Sequence, residues 1–373
     1  MILQNSFVRT KKAWKLIGIG GLLLLCLIVV SCRKQPESQP EKQPVKRPHV
    51  EERFHTEVML KTTPVKDQGK SSLCWVYAML ATIETEHLMA GDSVNLSADF
   101  VARAFLKEQY IERCMAEKRM GDLGGDEITT RGIGSMLVRM IQTYGLTHYD
   151  AYHRKRGCNY NVLCRRLNKE SGSALNMHSR SSIQDHINGI LDEEIGPAPR
   201  FVFMLGAEYT AQEFARSVCR ADEYESLTSF THHPFGQQFP LEIPDNRYHD
   251  TFLNVPLDTL MERMDKSLRS GHPVCWEGDT SEKGFQWKQG VATLEGSGQR
   301  KVTQEERQEA FEQYDTTDDH CMAVVGIARD KKGGKFYIMK NSWGTSNQYR
   351  GFMYVSEDYV RMKTVALFIP RPL

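Results

Sequence analysis

The sequence predicts an α+β protein. Apolar residues recur at helical spacing after Cys74 and again towards Tyr144, and helical patterns return across the middle of the chain. After Gly271 the pattern changes to short apolar runs bounded by turn residues, which read as strands. Helices first and strands last is the order of an α+β chain with segregated layers. Its 373 residues are enough for one large domain or two small ones with a real core. Lys and Arg (48) nearly balance Asp and Glu (47), which gives no electrostatic reason to expect nucleic acid as a partner.

At the N-terminus, Arg9, Lys11, Lys12 and Lys15 precede the apolar run Leu16–Val30. That run is short for a membrane span and suits the core of a signal peptide. Val29-Val30-Ser31-Cys32 resembles a bacterial lipobox, which implies a lipoprotein signal over residues 1–31, lipidation at Cys32 and anchoring by acyl chains. A plain membrane anchor and an ordinary signal peptide are the alternatives. From 32 to 55 the chain is rich in Pro, Gln, Glu and Lys, with Pro36, Pro40, Pro44 and Pro48 evenly spaced, and is expected to be an extended tether. The expected location is the bacterial cell envelope, on the periplasmic or outer-membrane side. The folded domain is expected from 56 to 373, and the short spacer before it leaves no room for a long inhibitory propeptide.

Thr63–Ser72 is a polar loop that delivers Cys74 to the first turn of a helix ending at Gly91. The positive end of a helix dipole favours a thiolate there. By itself Cys74 would equally suit a buried helix cysteine. Ser97 is placed to cap a helix running towards Arg113. Gly121–Asp126, with Gly124-Gly125, is a turn before a helical pattern through Ile133, Leu137, Met140 and Ile141.

Residues 149–250 read least clearly. Cys158 and Cys164 lie in a basic segment and would either pair or stay free. Helical patterns over Ile183–Ile195 and Ala211–Leu227 predict a helical insertion, and His232-His233 reads as surface loop rather than metal ligands. Pro256 then opens an amphipathic helix closed by Gly271, and His272–Glu277 is expected to be a strand. His320 heads an apolar strand, Asp330–Gly334 turns, and the return strand Phe336–Lys340 leads into Asn341-Ser342-Trp343-Gly344. Gly351–Val355 continues the strands, while Cys275 and Cys321 read as core.

Pro64-Val65-Lys66-Asp67-Gln68-Gly69 before Cys74-Trp75, Asp319-His320 at a strand head and Lys340-Asn341-Ser342-Trp343-Gly344 together resemble the papain-like cysteine peptidases. The likeness leans towards the bleomycin hydrolase and aminopeptidase C branch, also through Asn254-Val255-Pro256 and the following helix and strand. Ser71 stands where secreted papains carry an extra cysteine. The resemblance covers Lys61–Tyr144 and Asn254–Val355 well and Tyr149–His249 hardly at all. It implies a two-lobed fold, a helical lobe plus a β-barrel lobe, and hydrolysis of peptide bonds without metal or cofactor.

In that arrangement Cys74 is the nucleophile, His320 the acid–base, Asn341 its orienting partner and Gln68 an oxyanion donor. Gly124 and Gly125 would lie against the substrate backbone, and Trp343 would shield the His320–Asn341 bond within the substrate site. His272 is a rival base. The long C-terminal arm that confers aminopeptidase behaviour on bleomycin hydrolases has no counterpart before Leu373, so removal of N-terminal residues and internal cleavage stay open. Other readings are a catalytically silent peptide- or cell-wall-binding lipoprotein and a Cys-dependent acyltransferase. The oligomeric state is not legible.

Overall fold

The structure, a computed structural model, describes residues 53–120, 126–154, 158–172, 177, 179–204, 206–296 and 301–371. Cys32, the lipoprotein signal, the tether up to residue 52, and Gly124 and Gly125 lie outside the described residues.

The chain enters as strand β1 (Phe54–Met59), so the expected tether gives way to structure slightly before residue 56. Three helices follow: α1 (Cys74–Ala90), α2 (Ala98–Met120) and α3 (Gly134–Tyr144). The middle holds α4 (Tyr160–Ser171), α5 (Arg180–Glu194), the hairpin β2 (Val202–Met204) and β3 (Ala207–Tyr209), and α6 (Ala211–Val218). Strands β4 (Tyr224–Thr228), β5 (Gln238–Pro240) and β6 (Thr251–Asn254) complete it. Next come α7 (Leu257–Arg269), β7 (Val274–Gly278), β8 (Phe285–Gln286), β9 (Val291–Ala292) and α8 (Gln304–Glu312). The last elements are β10 (His320–Asp330), β11 (Lys335–Lys340), β12 (Phe352–Ser356), α9 (Glu357–Lys363) and β13 (Thr364–Pro370).

Helix α1 is buried without interruption from Cys74 to Thr85, so it has no solvent face over three turns and serves as a central post. It stops where expected: Gly91 adopts φ 88°, and its N–H returns to the carbonyls of His87 and Leu88. The hydroxyl of Ser97 accepts from Phe100 N–H at 3.1 Å and caps α2, which runs past Arg113 to Met120.

Eleven strands form one sheet in the path β5-β6-β4-β13-β7-β10-β11-β12-β9-β8, with β1 added on β10. The path stays open, so the β-barrel expected for the second lobe is not closed. Strand β10 is the sheet's axis. Its first half pairs with β7, its second half with β1, and β11 runs along the other side. The handover falls at Gly326, where an added Cβ would lie 2.4 Å from the Val58 carbonyl oxygen, so only glycine lets β1 approach.

Alternation along β7, β10 and β13 separates two cores. Cys275, Cys321, Ala366 and Phe368 face the helices, whereas Trp276, Met322, Val324 and Leu367 face a second core shared with α7. Residues 149–250 are only partly a helical insertion. The pattern read as one helix over Ala211–Leu227 breaks after Val218, because Tyr224–Thr228 pairs with β13 and joins the main sheet. Sheet pairing overrides the local helical spacing there. Cys158 and Cys164 are both free thiols. Among the described residues no helix is long and apolar enough to cross a membrane.

Candidate active site

Cys74 is the first residue of α1, preceded by Leu73, whose side chain gives no capping hydrogen bond. The first-turn N–H groups therefore keep their positive potential next to the sulfur. Trp75 fixes this end of the helix: it is fully buried, donates to the Thr130 carbonyl at 3.0 Å and meets Phe105 edge-on at 5.3 Å.

The loop before Cys74 is tied to the segment after β11. Gln68 N–H donates to Ser342 O at 2.8 Å, Gly344 N–H to Lys66 O at 3.2 Å, and Asp67 bridges to Trp343. Beneath it, buried Glu84 accepts from Lys66 Nζ at 2.6 Å, from Leu96 N–H at 2.7 Å and from the Thr63 hydroxyl. Lys340 donates to Thr63 Oγ1 at 2.8 Å, and its burial pushes the ammonium down to about 8. This network joins the loop, α1 and β11 behind the cysteine.

His320 stands at the head of β10. Its Nε2 lies 2.8 Å from Asn341 Oδ1, an amide oxygen that accepts, so the ring proton sits on Nε2. Asn341 Oδ1 also accepts from Ser342 N–H at 2.7 Å, which fixes the amide's orientation. The imidazole and the Cys74 side chain are close enough to act on each other's charge, and with Nε2 committed to Asn341 the ring edge left for the sulfur is Nδ1. Trp343 covers the ring at 4.6 Å between centroids and is itself backed by Trp287 at 5.3 Å.

The Cys74 thiol is held well below its usual range by a hydrogen bond from Cys321, against the opposing effect of burial, and then by the hydrogen bond and charge of His320. Burial alone would lower the basicity of His320. The Cys74 contact, Asn341 and the nearby Asp319 outweigh it and raise the imidazole above its ordinary value. A lowered thiol beside a raised imidazole favours the thiolate–imidazolium pair.

The C-terminal part of the chain matches the Peptidase C1-like family over residues 203–369. Aminopeptidase W of Lactobacillus delbrueckii subsp. lactis is 20% identical over 378 residues, covering 87% of this chain and 85% of that protein. The crystal structure of PepW from Lactobacillus rhamnosis HN001 superposes with a TM-score of 0.68 at 16% identity, covering 85% of this chain and 82% of the other. The fold is that of a papain-like cysteine peptidase. Family match and curated relative together support a cysteine peptidase enzyme. The matched range also begins within the segment where the sequence shows hardly any resemblance.

Within this papain-like frame the structure brings Cys74, His320 and Asn341 together and sets Gln68 on the adjoining loop. Gln68 Oε1 accepts from the Ser342 hydroxyl at 2.6 Å, and Nε2 donates to the Ser71 carbonyl at 2.8 Å. Trp343 packs on His320. His272 is elsewhere: it pairs with Glu86 at 2.9 Å. Cys275 and Cys321 are both core as expected, and Cys321 in addition acts on the cysteine of the site. Strand alternation explains this, since the residue after His320 on β10 faces α1.

Arg154 was not singled out by sequence. Its guanidinium donates to the carbonyls of Asp67 at 2.8 Å and Gln68 at 3.0 Å, so the middle segment braces the loop. No local pattern announces such a contact across 86 residues.

His232, His233 and Glu242 bring three ligand-type atoms within 4.8 Å of one another. The hydrogen bonds oppose metal binding. Thr231 N–H donates to Gln308 Oε1 at 2.6 Å, so the Gln308 amide NH₂ faces His232 Nδ1 at 3.0 Å. That places the imidazole proton on Nε2, the atom facing Glu242 at 3.2 Å, where a metal would need a lone pair. The cluster reads as two histidines hydrogen-bonded to one carboxylate.

Proposed function

We propose that this chain hydrolyses peptide bonds through Cys74, His320 and Asn341 and that it removes residues from peptide N-termini. The observation that carries the reading is His320, hydrogen-bonded to Asn341, acting on a Cys74 thiol at the N-terminus of a buried helix. The aminopeptidase direction rests on the likeness to aminopeptidase W.

The Cys74 thiolate attacks the scissile carbonyl carbon, and the carbonyl π electrons move to oxygen. The oxyanion accepts hydrogen bonds from the Cys74 N–H and the Gln68 side-chain NH₂. Collapse breaks the C–N bond, His320 Nδ1–H protonates the leaving amine, and a thioester remains on Cys74. His320, now neutral, takes a proton from water as it attacks the thioester, and the acid and the thiolate are regenerated. Asn341 keeps the proton on Nε2 throughout, so Nδ1 is always the atom that exchanges protons with the substrate.

The test is a digest of a defined peptide mixture with the domain from residue 53 onward, read for the position of each cut. Sequential loss of N-terminal residues is expected, and internal cuts alone would overturn the aminopeptidase reading. Gln68→Glu supplies a second check. It retains an acceptor for Ser342 but loses the NH₂ donor, so kcat should fall on the order of 10²-fold, as for loss of one oxyanion donor. An unchanged kcat would remove Gln68 from the oxyanion site.

A further inference from the structure

Strand β10 begins at His320, and the chain just before it is stitched to the end of β7 by two reciprocal acid contacts. Asp279, one residue past β7, is 1% exposed. Its Oδ2 accepts from Thr317 N–H at 3.0 Å and from the Thr317 hydroxyl at 3.4 Å. Its Oδ1 accepts from Ser281 N–H at 2.7 Å and from the Ser281 hydroxyl at 2.6 Å. In return, Asp319 Oδ1 accepts from Thr280 N–H at 2.8 Å and from the Thr280 hydroxyl at 3.1 Å. The next pair along the sheet is Gly278 with His320 itself.

The anchor of this clamp is fixed from the far side. Gly278 has no room to shift, since an added Cβ would lie 2.1 Å from the Lys363 carbonyl oxygen. Asp279 N–H donates to that same carbonyl at 3.0 Å, and the Asp279 carbonyl accepts from the Tyr359 hydroxyl at 3.0 Å. As a source of stability the acid is a poor choice, because a carboxylate taken out of water loses much hydration. Among the described residues its carboxylate takes neutral donors only. Geometry gives it a better reason. An ionised carboxylate accepts on both oxygens at once, which an amide cannot do, so it locks the Ser281 turn and Thr317 into one unit.

We propose that Asp279 is a positioning residue for His320: by holding Thr317, three residues upstream, it sets the entry of β10 and with it the place of the imidazole relative to Cys74. The inference rests on the reading of His320 as the acid–base partner of Cys74. Asp279 acts through the backbone and not on the substrate, so its removal should disturb the chemical step and leave substrate binding intact.

The experiment compares wild type, Asp279→Asn, Asp279→Ala, His320→Ala and a variant carrying both alanine changes. Two quantities are read: kcat and KM on a fluorogenic amide, and the pH profile of Cys74 alkylation by iodoacetamide, followed by mass spectrometry. Asp279→Ala is expected to lower kcat on the order of 10- to 100-fold, the cost of misplacing a reacting group by about 1 Å, with KM unchanged. Its alkylation profile should move towards that of His320→Ala. Asp279→Asn keeps one accepting oxygen and should fall between wild type and alanine on both scales; matched in size, it carries the comparison if the alanine variant does not fold. With the imidazole already gone, Asp279→Ala should leave the alkylation profile where His320→Ala put it, because coupled residues do not add. A profile that no Asp279 variant moves, or a shift equally large with and without His320, would overturn the proposal. Failure of the peptidase reading looks different. If no amide is cut while Asp279→Ala and His320→Ala shift the profile alike, the positioning role stands and hydrolysis falls; if only His320→Ala shifts it, the positioning role falls and the acid–base partner stands.

Discussion

Cys74→Ala should reduce peptide hydrolysis to background, a loss on the order of 10⁶-fold in kcat when a nucleophile and its base act as a unit. Nothing in the fold requires the sulfur. Cys74 sits in the first turn of α1, where alanine is an excellent helix former, and the helix is held by Trp75 and the buried run after it. The variant is therefore expected to fold, and kcat on a fluorogenic amide measures the chemistry alone. Cys74→Ser should also be heavily impaired, because a hydroxyl has no accessible anion for the helix N-terminus and His320 to stabilise. Wild-type turnover in the alanine variant would end the nucleophile assignment.

His320→Ala is expected to cost about 10⁴-fold in kcat, the upper range for loss of a general acid–base, and to move the pH dependence of Cys74 in a definite direction. In the wild type the thiol is lowered first by Cys321 and then by His320, so thiolate persists below the ordinary thiol range. Removing the imidazole takes away one of these causes and raises the thiol's pKa. Alkylation by iodoacetamide should slow most at acid and neutral pH, and converge with the wild-type rate in strong alkali where both sulfurs are ionised. Cys321 remains, so the shift is partial. An alkylation profile that does not move would show that His320 does not act on Cys74.

The sequence displayed the site better than the ground around it. Cys74, His320 and Asn341 are each marked by local cues: a polar loop before an apolar helix, a histidine at a strand head and an asparagine at the end of the return strand. These residues occupy the expected elements. What stayed hidden depends on pairing between distant segments. Strands β5 and β6 are three and four residues long, and only hydrogen bonding to neighbours distinguishes them from loop. The Thr364–Pro370 strand is an apolar, partly β-branched run whose cue was present and unread. So was the capping box of α8, in which Thr303 accepts from Glu306 N–H at 3.2 Å and Glu306 returns to Thr303 N–H at 2.9 Å.

Strand β10 also has a bearing on when the enzyme becomes dangerous to its maker. The partner of β1 lies far downstream; the contact of Glu57 with Arg329 spans 272 residues. During synthesis the first strand must therefore wait, unpaired, until nearly the whole polypeptide has left the ribosome. Helices α1 to α3 are free to assemble early, carrying Cys74 but not His320. If Cys74 and His320 act together as proposed, their pairing becomes possible only late in translation, once β10 has been made.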